Sequence, residues 1–444
     1  MTTGFAIRGA VLHPPEPDRL EAWADALIEV DPAGRIVSVR DGAAPPIAGR
    51  LITLRPGQIL LPGLVDLHIH APQWPQLGTA LDLPLERWLQ DDTFPLEARF
   101  VDTRYAAEVY DSLVTALLAN GTTTALYFGS IHLPATQILA ETCLRHGQRA
   151  LVGRVAMDHP DLCPAYYRDA SAEQAEADTR ALITHIRALP GNGGGLVRPV
   201  ITPRFIPACT DDLLRRLGAL AAETGCHVQT HASESDWEHG HVLARCGCSD
   251  TEALSRFGLL TRRSVLAHGN LLAESDLAAI RAAGAGIAHC PLSNAYFAGA
   301  VFPLRAALEK RVQVGLGTDI AGGAHPSMLD SARMAVTAAR MLETGVDPAR
   351  APAERGRGGS RIGALQAFWL ATAGGGIVLD LPIGQFCSGY QFDAILIDPA
   401  AAGSNLVPRP GEGPERTLER IVHTASRANI ARVWVGGREV VASA

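Results

Sequence analysis

Lysine is almost missing from this 444-residue chain: Lys310 stands alone, and all other basic charge is arginine. Formal net charge is −7, so there is no basic excess with which to hold nucleic acid. Long apolar runs are also missing. The uncharged stretch 284–304 contains His289, Pro291, Asn294 and Pro303, which suits a buried strand and loop and not a membrane span. The opening MTTGFAIRGAVLHPPEPDRLEAW lacks a basic start followed by an apolar core, so no secretory signal is expected. Eight cysteines fall at no repeated spacing, and the Cys246–Cys248 pair has no second pair near it to complete a zinc ribbon. A reduced, cytoplasmic compartment follows most simply. No low-complexity tract occurs, and 351–361 and 407–415 read as exposed loops.

What is present is 47% apolar sequence, enough for one large catalytic unit and a smaller one, because single cores rarely grow past roughly 250–300 residues. The first 57 residues read as short strands, with a hairpin turn at Asp31-Pro32-Ala33-Gly34. QFDAILIDP and ARVWVGGREVV near the end read the same way, the second with a Gly436-Gly437 turn. Between them, strand-like runs at 51–70, 122–130, 149–158, 197–205, 227–234, 264–270, 286–294 and 312–322 alternate with amphipathic stretches. Residues 211–224 predict one helix, with Leu213, Leu214, Leu217 and Leu220 on one face; 271–283 predict another, with Ser275 as its N-cap. Eight strands separated by helices predict an α/β fold, a (β/α)₈ barrel over 58–385. Segments 1–57 and 386–444 are expected to pair into a small, β-sandwich-like domain beside it. The competing doubly wound sheet lacks a GxGxxG turn after its first strand.

His68 and His70 close the first barrel run. Strand side chains alternate faces, so these two imidazoles point the same way, toward a shared position of the kind a divalent cation requires. Strand five ends in His231, strand six in His268, and strand eight in Asp319. In a closed barrel those ends ring one mouth, and three or four nitrogens plus a carboxylate make a catalytic zinc or iron site. His227 and Gln229 share the inward face of strand five but lie deeper, as packed core residues. His239, His241, His325 and His423 read as loop or surface residues, and His289 as part of the mouth region.

A barrel with HxH on strand one, a His on five, a His on six and an Asp on eight resembles the amidohydrolase superfamily. Some of its members bridge two metals with a carboxylated lysine at the end of strand four. Here strand four ends in TPRF, and Lys310 lies in a helix before strand eight, so one metal is expected. Hydrolysis then needs a base for water, which Asp319 suits, and an acid for the leaving group, which Glu234 suits from its place three residues after His231. Gln73 and Arg204 are candidate polar readers of a heterocycle, and Phe205 and Trp88 candidate stacking faces, Trp88 reading equally as a buried helix residue.

The ordered series HIHAPQWPQLG, DLPLERWLQDDTFPLEARF, NGTTTALYFGSIH, RALVGRVAMD, PVITPRF, IAHCPLSN and GLGTDIAGG resembles the guanine deaminase branch of that family. The resemblance implies a homodimeric, zinc-dependent aminohydrolase (one Zn2+ per chain, Fe2+ the alternative) that turns guanine into xanthine and ammonia. It implies metal ligation by His68, His70, His231, His268 and Asp319, and purine binding by His70, Gln73, Arg204, Phe205, His231, Glu234 and Asp319. Catalysis would fall to Glu234, Asp319 and His268, with metal-activated hydroxide attacking C2. Two mouth segments, SDWEHGHVLARCGCSDTEALSRFG and SNAYFAGAVFP, depart from the pattern. An aminohydrolase for a related aminopurine such as 8-oxoguanine, or for a triazine, is the enzymatic rival. A non-catalytic scaffold barrel is the rival from another class.

Overall fold

The computed structural model describes residues 4–46, 49–409 and 411–442. Its eight barrel strands are Leu64–His70, Thr122–Phe128, Arg149–Gly153, Val197–Pro203, His227–Ala232, Ser264–His268, Gly286–His289 and Gln313–Leu316, called strands one to eight below. Neighbours pair in parallel in chain order. Most of these strands are buried along their whole length, as expected of runs covered on both faces. Strand eight returns to strand one through two backbone bonds: Asp319 donates to the His68 carbonyl (2.8 Å) and His70 to that of Ile320 (2.9 Å). That closure ties the last functional residue to the first.

Helices fill the connections. Asp211–Thr224 is capped by Thr210, whose side chain accepts from the Leu213 amide, and ends at Gly225 in the left-handed region. The helix expected over 271–283 starts later, at Glu274, and Ser275 is not its N-cap. Ala273 holds that place, and Asp276 accepts from the Ala273 amide (2.8 Å). A carboxylate two positions inside the helix therefore caps it by reaching back to the N-cap amide, in place of a serine hydroxyl accepting from the amides further in.

The terminal segments meet in one eight-stranded sheet. Phe5–Glu16 pairs with Arg19–Val30, and Ile59–Pro62 bridges Phe5–Glu16 to Ala394–Ile397. That sheet therefore takes in residues just past the expected boundary at 57. The two predicted turns touch: a Cβ on Gly34 would lie 1.8 Å from the Gly436 carbonyl oxygen, so only glycine fits there. Among the described residues no helix is long and apolar enough to cross a membrane.

Candidate active site

Strands one, five, six and eight deliver their end residues to one point. Ligand atoms of His68, His231 and His268 lie within 4.8 Å of one another, as do those of His68, His70 and Asp319, and those of Glu234, His268 and Asp319. The groups share members, so they form one cluster. His68 Nε2 stands 3.1 Å and His70 Nε2 3.6 Å from Asp319 Oδ1. The Nε2 atoms of His70 and His231 face each other at 3.0 Å.

The backs of these rings explain why their fronts converge. His231 Nδ1 donates to the Arg204 carbonyl (2.5 Å), and His268 Nδ1 donates to Asn294 Oδ1 (2.9 Å). A proton fixed on Nδ1 leaves the Nε2 lone pair directed into the cluster. Burial holds all four imidazoles below their ordinary range, hence neutral and able to ligate. The Nε2 atoms of His68 and His268 are buried without a hydrogen-bond partner among the described residues. Four neutral imidazoles and one carboxylate fit a divalent cation, and the two unpartnered Nε2 atoms are costly to bury without one.

The backbone is strained at the same place. Ser233, His268 and Asp319 adopt left-handed φ values of 52°, 73° and 52°, each costing on the order of 1–3 kcal/mol. Asp66, buried in strand one, holds the Asp319 segment by accepting from the Thr318 amide (3.0 Å) and hydroxyl (2.5 Å). Desolvation pushes its carboxyl up to about 7.

Beside the cluster lies a cavity with about 400 Å³ of empty space, its mouth included. His70, Gln73, Arg204, Phe205, His231, Glu234 and Asp319 all line it, so the seven residues expected to contact substrate come together. Leu85, Trp88, Leu89 and Phe297 add apolar walls, with the Trp88 and Phe297 rings 4.9 Å apart. Trp88 is therefore both things it was read as, a buried helix residue and a cavity wall. His289 is not part of this lining. It is buried at the end of strand seven beside Phe302 and borders a separate small cavity with Asn294. His239 and His241 belong to the helix Asp236–Cys246 rather than to a loop, and His239 pairs with Asp250 at 3.0 Å. His227 donates to the Leu379 carbonyl (2.9 Å) at the far end of strand five, as a core residue.

Three important residues had no role in the sequence reading. Glu97, fully buried, receives two hydrogen bonds from Arg204 (2.6 and 3.2 Å) and one from Gln73 (2.8 Å). Gln73 also accepts from the Ala321 amide (3.0 Å), so it is held at both ends. Glu238 accepts from the Glu234 amide (2.6 Å) and fixes the loop on which Glu234 sits. Asn294 sets the His268 tautomer. Glu97 and Asn294 lie in the quoted TFPLEARF and IAHCPLSN segments, so their motifs were visible; Glu238 falls in a segment that departs from the pattern.

Glu234 Oε1 lies 3.6 Å from His268 Nε2, and burial together with the Asp319 charge pushes its carboxyl well above the usual range. A buried carboxyl that holds its proton more tightly than usual, next to a cluster that can hold a cation and facing the cavity, is equipped for acid–base hydrolysis.

Residues 59–440 match the model of the amidohydrolase family. The chain belongs to that family. This amidohydrolase is 35% identical to a guanine deaminase of Mus musculus over 98% of its own length and 96% of the relative's. Its fold superposes on a guanine deaminase from C. acetobutylicum with guanine in the active site, at a TM-score of 0.90 and 29% identity, covering 99% and 100% of the two chains. A triazine hydrolase from Arthobacter aurescens shares the fold at a TM-score of 0.85 and 20% identity, covering 100% and 95%.

Proposed function

We propose that this amidohydrolase hydrolyses guanine to xanthine and ammonia. The observation that carries the reading is the buried Gln73–Glu97–Arg204 unit set beside the buried carboxyl of Glu234 and the histidine cluster. Glu97 takes up much of the Arg204 charge and fixes both polar side chains, leaving them unused N–H groups for the edge of a planar base. Trp88, Phe205 and Phe297 supply aromatic faces for the ring.

We assign one zinc ion per chain, with Fe2+ as the alternative, to His68, His70, His231, His268 and Asp319, where its Lewis acidity would make water a nucleophile at neutral pH. Asp319 would hold the water and take its proton. Glu234 would protonate purine N3 as the water oxygen bonds to C2, and His268 would steady the charge on that oxygen. Asp319 would then pass its proton to the exocyclic amine, the C2–N bond would break, and ammonia would leave. Glu234 would recover its proton from the new hydroxyl as it becomes the carbonyl of xanthine. Eight free cysteines accord with a cytoplasmic setting.

The test is ammonia release from guanine, 8-oxoguanine, adenine, cytosine and a triazine, with metal content measured on the same preparation. Guanine is expected to give the highest kcat/KM. Metal-loaded protein that ignores guanine but turns over 8-oxoguanine or the triazine overturns the substrate assignment. Protein that purifies without metal and releases no ammonia from any of them is a scaffold.

A further inference from the structure

A second cavity opens at the other end of the barrel. It holds about 810 Å³ of empty space, its mouth included, about twice that of the candidate active site. Strand four joins the two: Arg198 lies near its start and Arg204 just past its end, so the sites stand about 20 Å apart at about 3.3 Å per residue.

The lining includes Arg187, Arg198 and Arg263 and not a single carboxylate. Each of these guanidinium groups is held by a backbone carbonyl instead: Arg187 donates to Thr224 (2.9 Å), Arg198 to Gly195 (3.2 Å) and Arg263 to Gly225. Most of their N–H groups stay uncommitted, since a guanidinium carries five donors. Asp380, whose charge reaches Arg198, is already paired with Arg262 at 3.2 Å. Partial burial and the charges of Arg149 and Arg263 hold Arg198 below its ordinary range.

The glycine-rich loop at 191–195 borders the same space, and it is built rather than loose. Asn192, buried beneath it, donates to the carbonyls of Ile186 (3.0 Å) and Val197 (2.8 Å) and accepts from the Val197 amide (3.0 Å). The Gly195 amide closes the turn on the Asn192 carbonyl (2.8 Å). Gly193 lines the cavity with no side chain to block an approach to its backbone.

Planar guanidinium forks match phosphate oxygens two at a time, and glycine-rich backbone suits the same anion. We propose that this cavity binds the phosphate groups of a small polyphosphate anion, at a site separate from the candidate active site. Its volume accepts either inorganic pyrophosphate or the diphosphate arm of a nucleotide.

Calorimetric titration of the full-length, metal-loaded protein with inorganic pyrophosphate, and separately with adenosine 5′-diphosphate, tests this at matched chloride ionic strength. Saturable binding is expected, weakened at least tenfold in the Arg198→Ala/Arg263→Gln double variant. Tighter binding of the nucleotide than of pyrophosphate would show that the nucleoside also contacts the cavity; equal binding would make phosphate the whole ligand. Arg263→Gln alone, at an exposed position, should weaken binding severalfold and leave phosphate-free turnover unchanged, which keeps the test open if the double variant fails to fold. Heats no larger than those of chloride, or affinities unchanged in Arg263→Gln, overturn the proposal.

Discussion

Strands four and five each place the same residue type at both ends of the barrel, and the pairs have opposite surroundings. Arg204 is buried against Glu97, whereas Arg198 is half-buried with only a backbone carbonyl as partner. His231 turns its Nε2 into the histidine cluster, 3.0 Å from that of His70, whereas His227 spends its Nε2 on the Leu379 carbonyl. Members of each pair are an even number of residues apart and therefore share a face. Periodicity cannot separate them. What separates them is the loop that arrives from elsewhere: the helix Phe94–Ala98 brings Glu97 to one end, and the turn after Val378 brings a carbonyl to the other.

The sharpest break of this comparison is at the catalytic end. Glu234→Gln keeps the shape of the side chain and removes its transferable proton. Turnover of guanine should fall by roughly 10²–10⁴-fold while metal content and KM stay near those of the parent. A variant at parental kcat would remove Glu234 from proton transfer. Chelation should abolish turnover, and added zinc should restore it.

Glu97→Gln comes next. It leaves the Arg204 charge buried without its counter-charge, a change that typically costs about 3–5 kcal/mol. Denaturant unfolding should show that loss, together with a raised KM for guanine. Arg263→Gln, the equivalent change at the opposite end, should leave stability nearly unmoved because no ion pair is broken. Equal effects at the two ends would erase the contrast.

These residues also mark how much the sequence could say. The barrel, its strand order and the five converging side chains follow from local signals, because most strands are buried along their whole length and the ligands sit at or just past strand ends. Glu97 sat in a recognisable segment, yet nothing local couples it to Arg204, which is 107 residues away. Glu238 and Asn294 act through one hydrogen bond each, to a backbone amide and to the far nitrogen of a ring. Such links have no period to read. The Ser275 assignment failed for a related reason: an aspartate one residue further on made the capping bond.

His227 sharpens the comparison through pH. Burial depresses its imidazole from an ordinary value near 6.5 to about 4. Between those values the unfolded chain binds the proton and the folded chain does not, so its contribution to stability is lost as pH falls from about 6.5 toward 4. The loss should reach about 2 kcal/mol by pH 5. His227→Gln can still donate to Leu379 but cannot titrate, so its unfolding free energy should fall less steeply across this window. Parallel pH profiles for the two proteins would mean that His227 is not held neutral by the fold.

The smallest expected effect lies in the cavity wall. Trp88 is 4% exposed and its indole N–H has no partner among the described residues, an expensive state for a buried donor unless a ligand completes it. Trp88→Phe keeps an aromatic face beside Phe297 and deletes only the donor. If the N–H serves the bound base, KM for guanine should rise about two- to tenfold with kcat unchanged, the equivalent of one ordinary hydrogen bond. If the ring is only packing, KM should hold and the thermal midpoint should fall as ring volume is lost, because removing an unpaired donor carries no hydrogen-bond penalty of its own. Measuring both quantities on one variant separates a residue that reads the substrate from one that merely encloses it.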